Sequence, residues 1–274
     1  APPEIYTLSL HDALPISPRH RFPDAARAWS RLDLRHRRCL GDVGGRQTSE
    51  TGSLRPVNRF ALLIVPALTA VFALRTGFVP LKLGVPGSCG LILWLELRRL
   101  PPESRRELWA VIWAFGMSMI GDWFLSNRSG REHFFEAGIG AFFLAHLGYA
   151  GYALMNGRLH RPGLTVLLLV FVPYYGFWLA PAIESLVLNG AVLFYLLISC
   201  VALAAAIGLR QSGLVKGFYV AGIGLVVFSD TIISFKEFLD YNRWNGLILP
   251  TYYLAHLCVT LSILIRFRPG HSTR

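Results

Sequence analysis

Charge is scarce in this sequence. Of its 274 residues only 16% are Asp, Glu, Lys or Arg, while 53% are apolar. That balance excludes an ordinary water-soluble domain, in which about a quarter of the residues are charged. Cysteine is scarce as well. Cys39, Cys89, Cys200 and Cys258 include no Cys-x-x-Cys pair, which argues against a disulfide framework or a cysteine zinc cluster. What charge there is leans basic, with a formal net charge of +11. The basic residues fall in an amino-terminal segment and in connecting loops, not on one face interleaved with aromatics. No nucleic acid is therefore expected as a partner, and membrane lipids are.

Long apolar runs fill the space that charge leaves. From Arg59 onward, eight stretches approach or reach bilayer-spanning length: residues 60–78, 81–97, 108–126, 134–155, 164–181, 186–209, 214–235 and 247–267. The second is the shortest and is interrupted by Pro86 and Gly87. The expected fold class is all-α, a polytopic transmembrane bundle of about eight helices over residues 59–274. Residues 1–58 have another character. They are arginine-rich and turn-rich, without apolar periodicity, and are expected to be a disordered basic tail. Part of that tail reads as a cloning or assembly artefact, because Leu10 to Ile16, "LHDALPI", is what the sequencing-adapter text CTACACGACGCTCTTCCGATC encodes. No signal-peptide core is visible in it.

Eight spans put both termini on one side, together with the loops after the second, fourth and sixth spans. That side carries eleven basic residues, Arg98 and Arg99 through Arg268 and Arg274, against six on the other. The positive-inside rule makes it cytoplasmic. The expected localisation is an integral, multi-pass protein of a bacterial cytoplasmic membrane, with both termini inside.

Against this apolar background the ionisable groups stand out. Asp122 in "IGDWFL" falls in the last turns of the third span, and Asp230 in "VVFSDTIISF" reaches a similar height in the seventh. His146 and His256 fall near the middle of the fourth and eighth spans. Tyr149 is i+3 from His146, and Tyr252 is i−4 from His256, so each pair shares a helix face. A lone carboxylate in hydrocarbon costs at least about 2.5 kcal/mol and is expected to face the bundle interior. Plain readings compete with functional ones here. Either aspartate alone suits a helix end, and either histidine suits an interhelical hydrogen bond. Gly138, Gly140, Gly148 and Gly151, with Gly217, Gly222 and Gly224, are expected to permit close helix packing. Glu96, Glu103, Glu107 and Asp240 read as ordinary interface charges.

Taken in order, "IGDWFL", "EAGIGAFFLAHLGYAGY", "VVFSDTIISF" and "PTYYLAHL" resemble the YhhN family of eight-span lysoplasmalogenases over about residues 60–267. The most specific part is the fourth-span pattern taken with the two aspartate motifs. The resemblance implies that Asp122 and Asp230 are the catalytic carboxylates. It also implies that His146, Tyr149, Ser229, Tyr252 and His256 line the site, with Tyr195 as a weaker match, and that no cofactor or metal is needed. Two departures are visible. The family tends to open its second span with Lys-Pro-Leu, where this chain has Val79-Pro80-Leu81 followed by Lys82; many members also carry Gln where this chain has His256. The implied activity is hydrolysis of the vinyl-ether bond of a lysoplasmalogen, a lysophospholipid, to a fatty aldehyde and a glycerophospho-alcohol.

Three other readings compete. Intramembrane aspartyl proteases use two aspartates in helices, one in Gly-x-Gly-Asp, of which only "IGD" is present. Zinc-dependent seven-span hydrolases use about three histidines, while His133 and His160 lie in loops here. A proton-coupled transporter of small molecules or lipids would also carry intramembrane carboxylates, but the surroundings of Asp122 and Asp230 show no inverted repeat.

Overall fold

The computed structural model describes residues 59–268. The expected basic tail of residues 1–58 lies outside the described residues. Those described form eight helices and no strand: α1 (Ile64–Thr76), α2 (Val79–Leu97), α3 (Pro102–Ser126), α4 (Glu132–Met155), α5 (Arg161–Tyr174), α6 (Leu186–Ile207), α7 (Gly213–Leu239) and α8 (Asn245–Arg266). A 3₁₀ turn, Arg59–Leu63, leads into α1, and a π turn, Tyr175–Leu179, continues α5 into Ala180–Ala182.

Local chemistry sets the helix ends. α2, α3 and α5 begin with proline in the first turn, where a missing N–H has no intrahelical acceptor to lose. Gly77 closes α1 at φ 66°, a left-handed conformation that a β-carbon disfavours, and returns its N–H to Ala73. Ser185 caps α6 by accepting the Leu188 N–H at 3.2 Å. Pro173 removes a backbone donor from α5, and the π turn follows directly. Asn189 then ties the two helices together. It donates to the carbonyls of Ala180 and Ile183 and accepts the Tyr175 hydroxyl.

Packing then defines a ring. α2 packs on α3, α3 on α4, α4 on α6, α6 on α7 and α7 on α8, and α8 returns to α2. α1 leans on α2 and α8 from outside, and α5 leans on α6. Both outer helices present apolar side chains outward, such as Val65, Leu68 and Phe72 on α1 and Val166, Leu169 and Val170 on α5. Only 17% of the α1 span and 6% of the α5 span are buried, which suits a lipid-facing periphery.

Seven of these helices, α1 taken with its leading turn and α5 with its continuation, are long and apolar enough to cross a membrane. The protein is an integral, multi-pass membrane protein. α2 has a mixed composition, with Lys82, Ser88 and Glu96 among its residues, yet it occupies a ring position between α1, α3 and α8. A helix packed on three neighbours needs lipid-soluble residues only on the face it leaves outward, where Leu91 and Leu95 are exposed.

Two glycines carry the closest approaches between packed helices. A β-carbon at Gly148 would lie 2.6 Å from the Ala110 carbonyl oxygen of α3, and one at Gly222 would lie 2.6 Å from Val259 of α8. At Gly140, Gly151 and Gly217 the same atom would meet open space, so the packing role expected of those three is not seen. At the end of the bundle formed by the close of α2 and of α8, Glu96 is buried and pairs with Arg59 at 2.8 Å and Arg99 at 3.2 Å. It is thus no ordinary interface charge. Arg59 also donates to the Phe267 carbonyl at 3.1 Å, joining the first described turn to the last helix.

Candidate active site

Toward the other end of the ring, where α3 and α7 finish and α8 begins, a cavity of about 410 Å³ opens between helices. Its walls follow helical periodicity. Asp122, Leu125 and Ser126 come from α3; Ser229, Asp230, Ile233, Lys236 and Glu237 from α7; and Asn245, Ile248, Leu249 and Tyr252 from α8. α2 contributes Lys82, α4 contributes Phe135 and Phe142, and Arg128 follows the end of α3. Two aspartates more than a hundred residues apart thus share one chamber. Ring closure places them there, since α3 and α7 run the same way on separate sides of it.

Each carboxylate has its own phenol. Tyr252 of α8 donates to Asp122 Oδ2 at 3.0 Å, and Tyr195 of α6 donates to Asp230 Oδ2 at 2.7 Å. Hydrogen bonds to an ionised acceptor are among the stronger ones and fix the acceptor's orientation. Gly121, next to Asp122, adds a steric constraint: a β-carbon there would lie 2.7 Å from the Phe142 ring.

Behind Asp230 stands His146, fully buried, with Nε2 3.7 Å from Oδ2. Its Nδ1 is 3.0 Å from the Phe142 carbonyl. A carbonyl only accepts, so Nδ1 carries the hydrogen and Nε2 of the neutral ring presents a lone pair. That lone pair faces the Asp230 carboxyl and has no hydrogen-bond partner. His256 repeats the arrangement one layer further in: Nδ1 lies 2.8 Å from the Tyr252 carbonyl, and Nε2 lies 3.5 Å from the Tyr149 hydroxyl. Ser118 extends this group at 3.4 Å from Tyr149, and Tyr219 donates to the Tyr149 carbonyl at 2.8 Å.

The eight expected site residues therefore fall into two groups. Asp122, Asp230, Ser229 and Tyr252 line the cavity, and Tyr195 and His146 hold Asp230 from behind. Tyr149 and His256 do not line it. Both are buried in the layer beneath, packed against Phe115 and Tyr252. The family resemblance implied that both line the site, and each shares a helix face with His146 or Tyr252. One helical turn separates the faces they share, and that turn takes them below the floor. Ser229 spends its hydroxyl on the Ile248 carbonyl at 3.0 Å, bridging α7 to α8.

Of the charged rim, the sequence marked only Lys82, as a departure from the family's Lys-Pro-Leu. Lys82, Arg128, Lys236 and Glu237 all line the same cavity. Lys236 and Glu237 lie two turns beyond Ser229 and Asp230 on one helix face, a periodicity that marks them once Asp230 is taken as a wall residue. Two narrow apolar clefts, about 60 and 70 Å³, also reach Asp230 and Tyr195; the first runs between Phe171, Val192, Leu196 and Val227. Among the described residues, no three His, Cys, Asp or Glu side chains converge as a metal site.

Fold and site together define a class: a polytopic membrane protein with an acid pair in a cavity between its helices. The chain belongs to the YhhN family, whose sequence profile matches residues 81–263, from the start of α2 to near the end of α8. Membership is consistent with a membrane hydrolase. Comparison with curated proteins and with solved structures finds no match.

Proposed function

We propose that this protein is a membrane hydrolase that cleaves the vinyl-ether bond of lysoplasmalogens, giving a fatty aldehyde and a glycerophospho-alcohol. The observation that carries this reading is the pairing of Asp122 and Asp230 across one cavity, each held by a tyrosine. Vinyl-ether hydrolysis needs a proton for carbon and a base for water, and two carboxyl groups supply both. Apolar clefts at Asp230 suit a single alkenyl chain reaching the site from the lipid side.

The roles divide by surroundings. Asp230 has the lone pair of His146 Nε2 3.7 Å from its Oδ2, while Asp122 shares the cavity with the Lys82 ammonium, so the acid role falls to Asp230 and the ionised role to Asp122. The acid's proton goes to the β-carbon of the enol ether, leaving an oxocarbenium ion and the Asp230 carboxylate. Asp122, ionised, faces the cation and orients a water, taking its proton as the oxygen adds to the α-carbon. The hemiacetal then collapses. Asp122 returns its proton to the departing glycerol oxygen, while the hemiacetal hydroxyl gives its own to Asp230 and becomes the aldehyde. The net change consumes one water and restores both carboxyl groups.

Asp122→Asn and Asp230→Asn are each expected to lower kcat on an alkenyl lysophospholipid in micelles by about 10²–10⁴-fold, the usual worth of positioned acid–base groups. Turnover unchanged in both variants rules out the two-carboxylate mechanism.

A further inference from the structure

The rim of the cavity carries more positive charge than the mechanism uses. Lys82, Arg128 and Lys236 reach it from α2, from the end of α3 and from α7. Arg128 and Lys236 share one carboxylate, that of Glu237, at 2.6 Å and 3.0 Å. Lys82 is half-buried; its backbone N–H donates to the Phe78 carbonyl at 3.2 Å, but among the described residues its ammonium forms no ion pair or hydrogen bond. An ammonium held this way on the wall of a membrane site, with two further cations against the carboxylates of Glu237 and Asp122, is arranged to receive an anion.

We propose that Lys82, supported by Arg128 and Lys236, forms the subsite for the phosphate diester of a glycerophospholipid. The choice of lipid rests on the hydrolase reading above; the anion site rests on the rim itself. Register along α7 supports the assignment. Lys236 is six residues beyond Asp230, about 9 Å along the axis at 1.5 Å per residue. In a lysophospholipid the phosphate is separated from the chain-bearing ether oxygen by the three glycerol carbons and one ester oxygen. An ether placed at the aspartates thus leaves its phosphate toward the rim, where lysine ammonium and arginine guanidinium donate charge-assisted hydrogen bonds. The chain extends the other way, into the clefts at Asp230.

The test uses ligands that the enzyme cannot cleave: a saturated 1-O-alkyl glycerophosphoethanolamine and the 1-O-alkylglycerol of the same chain. Binding of each to the purified full-length protein in detergent is followed by tryptophan fluorescence. The wild type should bind the phosphate-bearing ether at least about tenfold more tightly, and added salt should narrow that margin. Lys82→Gln should reduce the preference to roughly threefold or less, Lys82→Arg should keep it, and Lys236→Gln should fall between. Equal binding of the two ethers by the wild type overturns the proposal without reference to any variant's folding. So does a preference that survives Lys82→Gln. Inorganic phosphate at millimolar concentration should leave the ether lipid bound; displacement that depends on Lys82 would give the site to free phosphate and contradict the lipid assignment. Because neither ether is cleaved, a failed hydrolase reading leaves these bindings unaffected, and a failed rim leaves product formation to be judged separately.

Discussion

Tyr252 and Tyr195 are the side chains through which the acid pair is held, and they make the account testable residue by residue. Removing either hydroxyl leaves an aspartate without its protein donor while keeping the ring that fills the space. Tyr252→Phe and Tyr195→Phe are each expected to lower kcat about tenfold, the worth of one hydrogen bond to a carboxylate, which Asp122 is at the outset and Asp230 becomes on giving up its proton, with little change in thermal stability. The histidines should separate. His146 faces Asp230 directly, so His146→Asn is expected to reduce kcat by about 10²-fold. His256 lies in the layer below, and His256→Gln, the residue many family members carry, should retain activity to within about threefold; Gln still offers Tyr149 an acceptor. Steady-state kinetics on the four variants checks both statements. A His256→Gln loss as deep as that of His146→Asn would place His256 in the chemistry.

At the scale of the helix, close approach is what brings α3, α4, α7 and α8 together around the cavity. Gly148→Ala drives a β-carbon to 2.6 Å from the Ala110 carbonyl, a backbone atom that cannot swing aside. It is expected to destabilise the protein by about 1–3 kcal/mol. Gly140→Ala, on the same helix but facing open space, should be neutral or slightly stabilising. Melting temperatures in one detergent compare the two directly. This contrast also marks what was legible in the sequence. Apolar runs located the helices, because a span must be apolar along most of its length. Their ends moved: α3 begins at Pro102 and α7 runs on to Leu239, since charged residues near a helix end remain helical outside the apolar stretch. Asp122 and Asp230 stood out because two carboxylates fall at a similar height in apolar runs; either alone suits a helix end, and only ring closure brings both to one cavity. Tyr149 and His256 lie one helical turn beneath the cavity, a depth that neither the resemblance nor periodicity resolves. The cations of the rim look like ordinary flanking charge until ring closure shows which of them turn inward, and the partnerless state of the Lys82 ammonium exists only in three dimensions.

For the molecule as a whole, we propose from the charge asymmetry of the loops that the Glu96 end faces the cytoplasm and the cavity opens on the other side. In a variant with the native cysteines replaced, a cysteine at exposed Arg243 should react with a membrane-impermeant maleimide on intact cells, and one at exposed Arg158 only after permeabilisation. The reverse pattern would invert the topology while leaving the cavity as described. The claim on which all of this depends is the reaction itself. It is tested most directly by mass spectrometry of the products formed when purified protein meets alkenyl and acyl lysophospholipids of matched headgroup and chain length. The account predicts fatty aldehyde and glycerophospho-alcohol from the alkenyl substrate alone. Free fatty acid from the acyl substrate would contradict it.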